Sequence, residues 1–275
     1  MNNDALVLWL DMLGYKIWLS RQTNLEQAES ALKNALKVAF RRLGDLRQEE
    51  PEYFDIESIL ISDTIILWSY RLDPKTFTTL TTLYHILHCE LTTLGLPLRG
   101  AISKGTLRVS PDFPYTIVGS AIVSCALLEP QIKAFAVAVD DSVMEFVRTF
   151  SDDEAAKYVV HLSTLNIHDK DQKQEYVVLK WFSSLIPYSL LKHLNNLHES
   201  ANKGDLRAFD DLYFFCPKLL NSKDMISSVI LEEHREAVTN EWEEGLKRAE
   251  NIHNQLLAEL SNQKNKPNQA NSRAQ

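Results

Sequence analysis

Residues 56–70 read IESILISDTIILWSY, two runs rich in Ile, Leu and Trp on either side of the polar pair Ser62-Asp63. β-Branched and aromatic residues suit a pleated, half-buried surface, and a short polar break between two such runs signals a turn. The stretch therefore predicts a β-hairpin with Asp63 at its tip. Upstream, residues 5–13 (ALVLWLDML) form a mostly aliphatic run that predicts a buried central strand, with Asp11 near its exit and Gly14 turning the chain. Between the two, Leu25, Ala28, Ala31, Leu32, Ala35, Leu36, Ala39, Phe40 and Leu43 recur at spacings of three and four. This stripe predicts a helix over 24–43 with Asn24 as its cap, and then a charged loop over 44–52.

Downstream, residues 76–94 predict a second helix, closed by Gly95-Leu96-Pro97, and 98–109 (LRGAISKGTLRV) a further strand. A short strand over 115–118, a turn at Gly119, a helix over 120–129 and a strand over 134–139 follow. The order βαββαββαβ predicts an α+β fold (an α/β sandwich), a mixed and mostly antiparallel sheet with flanking helices. Residues 158–165 and 175–181 predict one more strand pair, joined by the polar stretch 166–174. Beyond residue 189 the pattern is helical, over 190–201, 206–215 and a long amphipathic segment, 224–260, that packs on the sheet or on a second subunit. The tail 261–275 has no large apolar residue and is expected to be disordered.

Composition narrows the function classes. The 275 residues are 45% apolar and 24% charged, as in ordinary globular chains, and carry a net charge of −8 that repels phosphate backbones. Nucleic acid is not an expected partner. Cys89, Cys125 and Cys216 form no CxxC pair, as expected in a reducing compartment, and the sequence reads as cytoplasmic. The N-terminus lacks the basic start of a signal peptide, and no segment approaches the roughly 20 apolar residues that span a bilayer, so no membrane partner is expected. His85, His88 and Cys89 share a helix, but no second pair closes a zinc site. Neither GxxxxGK[ST] nor GxGxxG occurs. Trp181 and Trp242 read as core residues.

Asp11 at a strand exit and Asp63 at a hairpin tip would have their carboxylates side by side if their strands were neighbours. Two such anions repel unless cations sit between them, and Mg²⁺ or Mn²⁺ prefers carboxylate oxygen. A pair of these ions roughly 3.5 to 4 Å apart is the usual arrangement for in-line displacement at phosphorus. Taken singly, each Asp also fits a helix cap or a turn.

Four segments in order, WLDMLGYK, ILISDTIILWS, LPLRGAISKGTL and the stretch 115–145, resemble the catalytic domain of class III nucleotidyl cyclases over about residues 5–147. The resemblance implies a cyclase-like domain over 1–185, with 186–260 a helical C-terminal extension and 261–275 a disordered tail. It makes Asp11 and Asp63 the ligands of two divalent ions, Mg²⁺ or Mn²⁺, and the Met12 carbonyl a third contact. Arg99 falls at a triphosphate-binding arginine. Met12, Leu13, Gly14, Tyr15, Ile59, Arg99 and Thr116 would line the substrate, with Asp11, Asp63 and Arg99 catalytic. The reaction implied is attack of the ribose 3′-hydroxyl on the α-phosphate, with pyrophosphate leaving.

Three positions depart from the purine cyclases. Ile59 stands where a base-reading Lys is usual, while its partner position keeps Thr116. Val123 and Leu127 stand where the transition-state Asn and Arg are usual, so Lys104, Lys133 or a lysine of the 170–173 loop would have to supply that cation, or catalysis is absent. The motifs DMLGYK, SDT, RGAI and LLE are similar to those of the Pycsar pyrimidine cyclases. That likeness implies a lyase converting UTP, favoured over CTP, to a 3′,5′-cyclic mononucleotide. It further implies antiphage signalling through a cyclic-nucleotide-responsive effector, and a head-to-tail homodimer with shared active sites. The alternatives are a purine (ATP or GTP) cyclase and a catalytically silent cyclase-like module that binds nucleotide or dimerises.

Overall fold

A computed structural model describes residues 4–49, 55–110, 116–151, 162–169, 172–179, 185–222 and 237–264. Strand β1 (Asp4–Met12) lies inside a seven-stranded sheet whose order is β2-β3-β1-β4-β7-β9-β8. The strands are β2 (Glu57–Ile61), β3 (Thr64–Ser69), β4 (Leu98–Thr106), β7 (Val137–Val139), β8 (Leu162–Asp169) and β9 (Gln172–Leu179). Every pairing is antiparallel except β4 with β7. Strands β5 (Arg108–Ser110) and β6 (Thr116–Val118) form a separate ribbon. The mixed, mostly antiparallel sheet with flanking helices is the α+β class expected from the sequence.

Side chains alternate across a strand, so β1 serves two layers. Leu6, Leu8, Leu10 and Met12 enter the main core, beneath α2 (Leu25–Glu49) and α3 (Pro74–Thr93). Ala5 and Val7 join a smaller cluster on the other face with Ile66, Trp68 and Ala101, and Trp9 and Asp11 share their parity. The helix α4 (Ser120–Leu128) packs on this second face over β1 and β4, burying Ala121 and Cys125. The Cys125 thiol donates to the carbonyls of Val7 at 3.6 Å and Ala101 at 3.5 Å, and burial pushes its pKa far up.

The C-terminal helices α6 (Leu185–Asn202), α7 (Leu206–Asn221) and α8 (Ala237–Lys264) stack in series, α6 against α3, α7 against α6 and α8 against α7. Leu190, Leu194, Leu212, Phe215, Cys216, Leu219, Ala249 and Ile252 extend the main core. Among the described residues no helix is long and apolar enough to cross a membrane.

Several boundaries differ from the expected ones. The expected loop over 44–52 is helix as far as Glu49, the end of α2, because Arg, Gln and Glu propagate a helix well enough to offset one glycine, and residues 50–52 lie outside the described residues. Asn24 caps it as expected, its Oδ1 accepting from the Glu26 N–H at 2.8 Å. The last strand pair extends through the polar stretch: Asn166 pairs with Glu175 and Asp169 with Gln172. Leu165 and Ile167 alternate into the core there, and β8, at the sheet edge, needs only one apolar face. Two short helices, α1 (Tyr15–Ser20) and α5 (Asp141–Val147), were not expected. The final helix continues to Lys264, into the stretch expected to be disordered, while residues 265–275, 158–161, 180–181 (with Trp181) and 224–236 lie outside the described residues.

Candidate active site

The β1–β3 register sets Asp11 opposite Thr64, which places Asp63, in the β2–β3 turn, directly beside the end of β1. The Met12 N–H donates to the Asp63 carbonyl at 2.8 Å and locks the hairpin tip against the strand exit. Ser62 adopts φ 58°, a left-handed conformation that lets a two-residue turn follow the strand twist. On the other side of β1, Asp11 faces Arg99 of β4, and an Arg99 guanidinium nitrogen lies 3.5 Å from the Asp11 carboxylate. The two acids and the arginine thus meet at one rim of the sheet.

A fourth group, which the sequence reading left out, completes the electrostatics. Glu129, at the end of α4, is 8% exposed and forms an ion pair with Arg99, which also donates to the Ile132 carbonyl at 3.4 Å. The Asp11 carboxyl is pushed up to about 6, first by burial and then by Glu129; Arg99 opposes the rise, and Asp63 adds to it. One guanidinium therefore serves more carboxylate charge than it neutralises. The signal for Glu129 was its place in the LLE motif, but only tertiary structure shows that a charge there is buried.

The remaining expected site residues divide. Met12 and Leu13 send buried side chains into the main core, so only their backbones face the rim; the Leu13 N–H donates to the Pro97 carbonyl at 3.0 Å. Gly14, at φ 80°, is the N-cap of α1 and gives the chain its reversal, and Tyr15 stacks on Trp18 at 5.9 Å. Ile59 sits across from Ile66, packed against the smaller cluster, while Thr116 is exposed on β6 opposite Ser110. Val123 and Leu127 are 56% and 67% exposed on α4, apolar side chains facing outward.

Among the replacement cations, Lys104 pairs with Leu6, on the main-core face of the sheet and roughly 16 Å along β4 from Arg99 of the same chain at about 3.3 Å per residue. Lys133 follows Ile132 and is exposed. Lys170 lies outside the described residues, and Lys173 is placed as a backbone position opposite His168.

Among the described residues no group of three or more His, Cys, Asp and Glu side chains is set to hold a metal. Two adjacent carboxylates still fit a Mg²⁺ or Mn²⁺ ion that completes its shell with water and phosphate oxygens. The raised Asp11 carboxyl is the charge imbalance such an ion would relieve. His88 is buried, held near 3 by burial and by His85, and its Nδ1 lies 3.1 Å from the Tyr84 hydroxyl. A cavity of about 150 Å³ lies behind the α1 turn, between Leu13, Trp18, Phe135, His193 and Phe215, and contains neither acid.

No protein-family model and no curated protein matches the sequence. Among solved structures, the chain is similar to the guanylate cyclase domain of RhGC from Catenaria anguillulae in complex with GTP, at 14% identity and TM-score 0.44, covering 64% of this chain and 96% of that one. It is also similar to the adenylyl cyclase CyaB from P. aeruginosa, at 14% identity and TM-score 0.40, covering 66% and 95%. Adenylate cyclases from Trypanosoma brucei in their monomeric state give 11% identity and TM-score 0.39, over 64% and 88%. At TM-scores below 0.5 these overlaps are partial, and no function is taken from them.

Proposed function

We propose that the chain is a nucleotidyl cyclase of the cytoplasm that converts a pyrimidine nucleoside triphosphate, UTP in preference to CTP, to the 3′,5′-cyclic mononucleotide and pyrophosphate. The observation that carries this reading is the meeting of Asp11 and Asp63 at one sheet rim, with Arg99 beside them. Asp11, Asp63 and the Met12 carbonyl would hold two divalent ions. Such ions, when bound, lower the pKa of the ribose 3′-hydroxyl and offset charge developing at the α-phosphate. Arg99 presents a planar fork suited to phosphate oxygens and, through Glu129, is held in place before substrate arrives. The turn 12–15 borders the phosphates, and Ile59 and Thr116 frame the base. An aliphatic Ile59 donates no hydrogen bond, so the polar edge of a purine would lose about 1–3 kcal/mol for each group left unpaired.

The proposed head-to-tail homodimer with shared sites is supported by the outer face of α4 and its neighbours. Val118, Val123 and Leu127 lie exposed there, and clustered exposed apolar side chains suit a covered surface. The product would signal to a cyclic-nucleotide-responsive effector during phage infection. A second reading, a cyclase-like module without turnover, is favoured by Val123 and Leu127 themselves, which stabilise no charge.

One assay separates these readings. Purified protein with Mn²⁺ is incubated with ATP, GTP, CTP and UTP in turn, and cyclic product and pyrophosphate are scored beside Asp11→Ala and Asp63→Ala. Product from UTP or CTP alone, lost in both variants, is the expected result. Product from ATP or GTP makes the protein a purine cyclase, and no product from a folded protein leaves the silent module.

A further inference from the structure

Lys218 is the unusual side chain of the C-terminal helices. It lies on the buried face of α7, between Phe215 and Ser222, and is only 9% exposed. Its ammonium donates to the Phe214 carbonyl at 3.1 Å and sits 3.3 Å from the centre of the Phe214 ring. No carboxylate pairs with it among the described residues. A buried cation without a counter-ion is costly, and such a group is kept either by a compensating anion or by function.

Lys218 does not stand alone. The end of α7 clasps the segment that leads into β7: the Asn221 amide donates to the Lys133 carbonyl at 2.9 Å, and the Phe135 N–H donates to Ser222 Oγ at 3.0 Å. Lys133 extends from that segment and spends its ammonium on the Pro130 carbonyl at 2.8 Å, again with no carboxylate among the described residues. Arg99 bonds the Ile132 carbonyl of the same segment. The 132–135 segment, held by Arg99 on one side and by the end of α7 on the other, brings Arg99, Lys133 and Lys218 to the same place, and the ammonium of Lys218 is pushed down to about 8 by burial and then by Arg99 and Lys133. Glu129 and Asp11 absorb the charge of Arg99, so the surplus belongs to the two lysines.

We propose that Lys218 and Lys133, together with Arg99, form a polyphosphate-binding site at the sheet rim, to which the C-terminal helices contribute a substrate-binding residue. The ligand is the triphosphate tail of a nucleotide or the pyrophosphate released from it, and this identity rests on the nucleotidyl cyclase reading. An anion there converts the repulsion between the two lysines into attraction to one centre, with Arg99, already paired to Glu129 and Asp11, at its edge. It also gives the helical extension a direct part in holding substrate, at the rim that carries Asp11.

The test uses the full chain in metal-free buffer, with inorganic tripolyphosphate titrated calorimetrically. Lys218→Met keeps the aliphatic packing and is expected to weaken binding at least tenfold, Lys218→Arg to restore most of it, and Lys133→Met to weaken it several-fold. Lys192→Met, which removes an exposed charge on α6, is expected to leave it unchanged. With nucleotide, Lys218→Met is expected to raise KM more than it lowers kcat. Unchanged tripolyphosphate affinity in Lys218→Met overturns the proposal, as does equal weakening by Lys192→Met. If Lys218→Met does not fold, unchanged affinity in the exposed Lys133→Met overturns it instead. Because the titration needs no turnover, a protein that cyclises no nucleotide yet binds tripolyphosphate through Lys218 retains the site and loses only the cyclase reading.

Discussion

Replacing Asp11 by Asn is expected to stabilise the metal-free protein, and to do so more strongly as pH rises. The carboxyl is pushed up to about 6 in the folded chain from an ordinary 3.8. Below pH 4 both folded and unfolded chains carry it protonated, so it costs nothing. Between about pH 4 and 6 the folded chain holds the proton that the unfolded chain has released, so wild-type stability falls as pH rises, and above 6 the full penalty applies. Two pKa units correspond to about 3 kcal/mol. The Asp11 side chain is 23% exposed, so solvent screening takes back about 1 kcal/mol, while the attraction of Arg99 is already contained in the net shift. The expected gain at pH 8 is thus about 1–2 kcal/mol, or roughly 2–8 °C in Tm, and it disappears by pH 4. Urea unfolding in EDTA, followed by tryptophan fluorescence at pH 4, 6 and 8, measures it. Millimolar Mn²⁺ should raise the wild-type midpoint and leave Asp11→Asn unmoved. A substitution effect that is constant across pH, or that destabilises most at pH 8, would refute the buried, charge-crowded site.

Glu129→Gln removes one partner of a buried ion pair and is expected to cost about 3 kcal/mol in chemical denaturation while lowering the Asp11 pKa, seen by carboxylate NMR. Gly119→Ala would bring a methyl group within 2.0 Å of the Thr106 carbonyl, and Tm should fall by more than 5 °C. Leu127→Asp, on an exposed position, should leave Tm within about 2 °C and shift a dimer toward monomer in sedimentation. In the native protein Cys125 should resist thiol reagents until unfolding, its thiolate suppressed by burial, while half-buried Cys89 reacts first.

Local pattern carried much of the fold. The 56–70 hairpin, the β1 strand with Gly14 at its turn and the Asn24 cap all follow from chemistry within a few residues, and each stands where the sequence placed it. The elements that escaped are those decided by neighbours. A six-residue helix such as α1 has too few positions to show a period, and the polar stretch 166–174 becomes strand because β8 lies at an edge and needs one apolar face. In the site, the order of Asp11, Asp63 and Arg99 was readable along the chain, and the sheet register brings them to one rim. Glu129 was read only as the end of a helix. Lys218 left a trace, since Phe215, Lys218 and Ser222 recur at helical spacing within an apolar run, but a lone lysine on such a face reads as a solvated end until its burial is seen.

Gly100 sits one residue after Arg99, and a side chain there would meet the Trp9 carbonyl at 2.1 Å. The spacing between β1 and β4 is consequently set by main chain against main chain, with no intervening atom that evolution could enlarge or trim. Adjustments of specificity or speed must then accumulate in the parts that surround this rigid seam, the hairpin tip, the α4 terminus and the clasped 132–135 strap, and the seam itself should tolerate almost no variation.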